Sequence, residues 1–133
     1  MANYLRLGKT IYHPSNVIQN TTYSPDIAKA VLTLWKNNKT GVFHVAGKLP
    51  ESRYKFCKTL ASTFGFDESL VKEGSVDNFL NIFGSPLYSP EPEIVYKLPL
   101  NVTLDTSKIE HSIGFSLRDY KKGLKDLAKL LCF

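Results

Sequence analysis

Between Ile27 and Trp35 apolar residues recur three and four positions apart, at Ile27, Ala28, Ala30, Val31, Leu34 and Trp35. That spacing is the period of one helix face and predicts a wide buried stripe. The start of the helix is marked just upstream. Ser24 offers a capping hydroxyl, Pro25 fits the first turn because its missing N–H has no partner there, and Asp26 suits the positive end of the helix dipole. Asn37-Asn38-Lys39-Thr40-Gly41 closes the helix. The next run, Val42-Phe43-His44-Val45-Ala46-Gly47, is short, mostly apolar and rich in β-branched and aromatic residues, which predicts a strand buried on both faces. Such a strand needs neighbours. The rest of the chain offers few runs that could flank it, whereas a preceding parallel sheet would.

The remaining pattern is helical with short extended pieces. Residues 3 to 13 read as the end of a helix carrying Tyr4, Leu5 and Leu7, a stop at Gly8 and a short strand from Thr10 to His13. So little room is left for that helix that a longer element with a missing front half is expected, with a short N-terminal turn that frays as the alternative. Glu51 to Phe64 predicts an amphipathic helix with Tyr54, Cys57, Leu60, Ala61 and Phe64 inward and Gly65 as its stop. Leu70-Val71-Lys72 reads as a short strand and Asp77 to Phe83 as a turn or short helix. Pro86, Pro90, Pro92 and Pro99 then enforce a long loop. Asp105 is expected to cap a short helix, TSKIEHSI, which Gly114 stops. Ser116 with Asp119 opens the last helix, whose stripe is Leu117, Tyr120, Leu124, Leu127, Ala128 and Leu131.

At 133 residues with 43% hydrophobic content, the chain has the size of one domain and can bury a core. No apolar run reaches the roughly 20 residues of a membrane span, and the N-terminus lacks the apolar centre of a signal peptide. A cytoplasmic protein that does not enter the membrane is expected. Cys57 and Cys132 lie too far apart for a metal-ligand spacing and suggest no disulfide framework. The sequons at Asn20, Asn38 and Asn101 accordingly read as chance. The net charge of +5 is modest, and Lys121, Lys122, Lys125 and Lys129 lie opposite an apolar stripe, as a solvated face does. Without interleaved aromatic residues or a known motif, nucleic acid is not the expected partner.

The chemistry expected within the chain is sparse. No glycine cluster stands between a strand and a helix, so neither a Rossmann nor a P-loop phosphate cradle is predicted. His13, His44 and His111 form no metal set, and none neighbours a nucleophile in sequence. His44, between Phe43 and Val45, reads as a structural histidine. Tyr54 and Lys58 have the spacing by which a helical lysine lowers the pKa of a proton-donating tyrosine. Tyr54, however, belongs to an apolar stripe with no cofactor loop before it, and a packing role is expected.

The order NTTYSPDIAKAVLTL, GVFHVAG, ESRYKFCKTLASTFGF, LPLNVTLDTSKI and a closing amphipathic helix resembles the C-terminal part of the dTDP-4-dehydrorhamnose reductases, the RmlD-like branch of the extended short-chain dehydrogenases. The resemblance covers nearly the whole chain. It implies an α/β fold for residues 1–133: the C-terminal substrate-binding lobe of an extended short-chain dehydrogenase, helices with a few short strands, lacking most of the Rossmann sheet. In that family the N-terminal half holds NADPH and the catalytic Thr or Ser, Tyr and Lys. No catalytic, cofactor-binding or metal residue therefore carries over to this chain. Thr22, Ser52 and Lys97 are the positions it assigns to substrate. Two departures stand out: Leu98-Pro99 replaces the family's Arg-Pro, leaving Lys97 as a point charge instead of a guanidinium fork, and Thr21-Thr22 replaces Pro-Thr.

The function implied is the substrate-binding portion of a nucleotide-sugar reductase, inactive alone. Its partners would be a dTDP-sugar, and a Rossmann half or partner protein bringing NADPH. Faces left open without the sheet would invite self-association into a homo-oligomer. The alternative is a non-catalytic regulatory or protein-interaction module of the same superfamily, as in the regulatory subunit of methionine adenosyltransferase.

Overall fold

The computed structural model describes residues 1–75 and 99–131. In chain order its elements are α1 (Ala2–Arg6), β1 (Ile11–His13), β2 (Ile18–Gln19), α2 (Ser24–Lys36), β3 (Glu51–Ser52), α3 (Arg53–Thr63), β4 (Val71–Glu73), α4 (Ser107–Ile113) and α5 (Tyr120–Leu130). A 3₁₀ turn at Glu68–Leu70 precedes β4. The elements fall into two units, each built from two stretches of chain: Met1–Ile18 with Ser52–Val102, and Gln19–Glu51 with Thr103–Phe133.

The first unit is a small crossover motif. β1 and β4 pair in parallel, Ile11 opposite Val71 and His13 opposite Glu73, with α3 between them in the sequence. Along β1 the side chains alternate, Ile11 and His13 inward and Tyr12 outward, as the strand pleat requires. α3 packs on both strands. It turns Cys57 and Ala61 inward, one helical turn apart, and their small side chains let the helix lie close. Leu5, Ile11 and Val71 complete the buried cluster, flanked by Tyr54, Phe56, Leu60, Phe66 and Leu70. Ser52 is the N-cap of α3, its Oγ accepting the Lys55 amide at 3.2 Å. α1 is a short helix anchored by buried Leu5, while Tyr4 and Leu7 stay exposed.

In the second unit α2 packs against α4. Ala30, Ile109, Ile113 and Leu117 are buried, and Leu34, Phe43, Val45 and Phe115 close around them. α5 buries Tyr120, Gly123, Leu124 and Ala128. A side chain at position 123 would stand 3.2 Å from Cβ of Tyr23, which accounts for glycine inside this helix.

Several boundaries differ from the sequence expectation. α2 begins at Ser24 with Tyr23 as its N-cap, so Ser24 lies inside the helix and makes no capping bond. Asp119 alone caps α5, accepting the Lys122 amide at 2.8 Å, while Ser116 accepts from Lys48 Nζ. Thr106 is the N-cap of α4. Asp105, one residue earlier, accepts the Ser107 amide at 2.8 Å in an Asx-type turn. Leu127 and Leu131, expected inside, are exposed. The largest difference is at 42–47, which forms no strand because no ladder partner stands beside it among the described residues. Over 42–45, Phe43 and Val45 are half-buried while Val42 and His44 are exposed, so one face is covered instead of two; both sides become buried only at Ala46 and Gly47. The turn expected at Asp77 to Phe83, the first three loop prolines and Cys132 lie outside the described residues. No helix among the described residues is long and apolar enough to cross a membrane.

Candidate functional site

Thr22 sits in a polar clasp of the second unit. Its Oγ1 accepts the Gly47 amide at 3.1 Å. Asn20 grips the same strip from the other side: its Nδ2 donates to the Gly47 carbonyl and its Oδ1 accepts the Leu104 amide, both at 2.8 Å. Gly47 has no room for a side chain. A Cβ there would overlap the Thr21 carbonyl oxygen and stand 3.1 Å from that of Arg118. A threonine hydroxyl accepts and donates at once, so the bond from Gly47 leaves the Thr22 O–H able to meet a ligand.

Beside the clasp, Asp26 is buried and doubly bound. Its Oδ2 accepts the Arg118 amide at 2.8 Å and its Oδ1 pairs with the Arg118 guanidinium at 3.0 Å. Arg118 also reaches Asp126 at 3.3 Å and lies 5.0 Å from the centre of the Tyr23 ring. Lys48 pairs with Glu110 at 3.2 Å, and Glu110 accepts the Leu117 amide. Arg118 and Lys48 are thus already matched to carboxylates and are not spare charges for a diphosphate.

In the second unit the hydrogen bonds from Ser107 lower the Asp105 pKa; the first unit holds the ionisable groups perturbed mainly by burial. His13 is fully buried, and burial followed by the nearby Arg53 charge lowers its pKa to about 4, so it is neutral at pH 7. Burial raises the Cys57 thiol to about 12, against the opposing pull of Arg53, and its Sγ contacts Met1 Sδ at 3.2 Å. Such a thiol is unreactive. Burial likewise lowers the Arg53 pKa. Sequence reasoning gave His13 no role; its signal was the alternation of Ile11, Tyr12 and His13, which puts it on the inward side. Lys58 Nζ lies over the Tyr54 ring, 6.0 Å from its centre, a cation–ring contact consistent with packing. Among the described residues no three metal-binding side chains cluster.

Of the three residues assigned to substrate, Thr22 belongs to the second unit, Ser52 to the first, and Lys97 lies outside the described residues. Ser52 is buried and committed as an acceptor to the α3 cap.

No protein-family model matches the chain, and no curated protein matches it by sequence. The fold does have solved counterparts. It is a partial α/β fold, and it recurs within two dTDP-4-dehydrorhamnose reductase structures. One is the Bacillus anthracis enzyme in complex with NADP: TM-score 0.74, 17% identity, 94% of this chain and 40% of that one. The other is an orthologue from Clostridium acetobutylicum: TM-score 0.72, 20% identity, 99% of this chain and 42% of that one. The chain therefore spans about two fifths of the structures it resembles. At these identities the likeness establishes the fold.

Proposed function

We propose that the chain is the substrate-binding portion of a nucleotide-sugar reductase similar to dTDP-4-dehydrorhamnose reductase, and that it transfers no hydride alone. The observation carrying this reading is the fold likeness, which takes in nearly all of this chain and under half of each reductase. The NADP in the Bacillus anthracis structure supports NADPH as the reductant of a completed enzyme. The reaction would be reduction of the 4-keto group of a dTDP-6-deoxyhexulose. In this reading Thr22 meets the substrate through a hydroxyl that can still donate after accepting the Gly47 amide, whereas Ser52 is buried in the α3 cap and Lys97 lies outside the described residues.

Calorimetric titration of the chain with dTDP and with UDP tests it. Saturable binding of dTDP, weakened roughly 5- to 30-fold by Thr22→Val as for the loss of one hydrogen bond, is expected. No binding of dTDP, or NADPH oxidation by the chain alone, would overturn the proposal. A second reading, a non-catalytic protein-interaction module, is favoured by the exposed apolar side of α2. It predicts a tight protein partner and no affinity for dTDP-sugars.

A further inference from the structure

Segments distant in sequence meet at the half-buried side chain of Asn20. Its amide nitrogen donates to the Gly47 carbonyl and its amide oxygen accepts the Leu104 N–H, each at 2.8 Å. Both partners are backbone groups, and this settles which end of the amide is which: only the nitrogen can donate to a carbonyl, and only the oxygen can accept an N–H. One planar group thus ties residues 20, 47 and 104 together.

The peptide plane between Gly47 and Lys48 is held at both edges. Asn20 takes its oxygen, and its N–H, that of Lys48, donates to the Arg118 carbonyl at 3.2 Å. Arg118 is itself clamped to buried Asp26. Glycine has more freedom in φ and ψ than any other residue, so a pinned plane after Gly47 is what keeps the N–H before it aimed in one direction. That N–H meets Thr22 Oγ1 at 3.1 Å. A threonine hydroxyl otherwise moves among staggered wells about χ1, and the bond from Gly47 selects one of them.

We infer that Asn20 is a positioning residue of the substrate site: by holding the 47–48 peptide it fixes the Thr22 hydroxyl for a hydrogen bond to the nucleotide-sugar, without touching the ligand itself. The inference rests on the proposed function above, through the role given there to Thr22. Asn20→Ala removes both side-chain bonds. Asn20→Asp keeps the acceptor for Leu104 but sets a carboxylate oxygen against the Gly47 carbonyl, where the donor stood. Protonation of that carboxyl restores a donor, and the repulsion that precedes it raises the carboxyl above its ordinary pKa of about 3.9.

The test titrates dTDP calorimetrically into the chain, into its Asn20→Ala, Asn20→Asp and Thr22→Val variants, and into the Asn20→Ala/Thr22→Val pair. Three-bond couplings report the Thr22 rotamer in the ligand-free proteins. The wild type should hold Thr22 in one rotamer, and Asn20→Ala should average it among several. Asn20→Ala should weaken dTDP binding about 5-fold, and by no more than Thr22→Val does, since it acts through that hydroxyl. In the Thr22→Val background it should change affinity by less than about 2-fold. Asn20→Asp should bind weakly at pH 7 and recover towards the wild type at pH 5, each affinity taken relative to wild type at the same pH, while the Asn20→Ala ratio stays constant. Wild-type affinity in Asn20→Ala overturns the inference, as do additive losses in the double variant or an Asn20→Asp ratio that ignores pH. If Asn20→Ala does not fold, Asn20→Asp, which keeps the Leu104 bond, carries the same comparisons. A wild-type chain that does not bind dTDP removes the functional reading. The couplings then decide alone: a Thr22 rotamer averaged by the substitution upholds the positioning role, and one left unchanged overturns it.

Discussion

α3 in the first unit and α2 in the second carry similar sequence signals and meet different fates. Cys57 and Ala61 of α3 are buried among Leu5, Ile11 and Val71, with the aromatic residues of the same stripe half-covered around them. α2 buries Ala30 and half-buries Leu34, yet it exposes Ile27, Val31 and Trp35 of the same stripe. Apolar periodicity states which side of a helix is suited to burial. It does not state whether the covering surface belongs to the same stretch of chain. α3 finds its cover in β1 and β4; the outer side of α2 finds none among the described residues.

That contrast can be sharpened by mutation. The largest effect is expected in the core of the second unit, where Ile109→Ala should cost about 2–5 kcal/mol in urea unfolding, the range for emptying a buried aliphatic site. Next comes acid sensitivity of the first unit. Between pH 6.5 and about 4 the unfolded chain protonates His13 and the folded chain does not. Stability from this group is complete above pH 6.5 and declines as pH falls towards 4, by on the order of 3 kcal/mol in all. Urea midpoints from pH 4 to 7, for the wild type and His13→Gln, measure it. Asp26→Ala should cost about 2 kcal/mol, below the range for a fully buried pair because Arg118 is partly solvated. Ser52→Ala, which removes the α3 cap, should cost about 1 kcal/mol. The smallest effect belongs to the open face: Val31→Ala in the chain alone should change stability by less than about 0.5 kcal/mol. A cost as large as that of Ile109→Ala would erase the contrast.

Much of the fold was legible in local signals. The stop after α3 at Gly65, the Asp119 cap of α5 and the inward positions of α3 follow from residue chemistry that acts within a few positions. The parallel pairing of Ile11 with Val71 was not legible, because register across 60 residues depends on tertiary packing. The run at 42–47 shows the same limit from the other side. Its composition suits a strand, but a strand exists only where a neighbour supplies hydrogen bonds. For the site, Thr22 was singled out as a substrate contact, whereas its bond to the Gly47 amide and the grip of Asn20 depend on segments 25 or more residues apart. Likewise the pairing of Arg118 with Asp26 joins residues 92 apart, which no spacing rule reaches.

The central claim is that α2 keeps an apolar side uncovered where α3 covers its own. Collisional quenching of Trp35 in dilute, monomeric chain tests it most directly. The account predicts an indole as open to iodide as free tryptophan within about 2-fold, in a chain whose circular dichroism and cooperative unfolding are those of a folded protein. A folded monomer with Trp35 shielded from iodide would contradict it, since the face would then be covered by the chain itself.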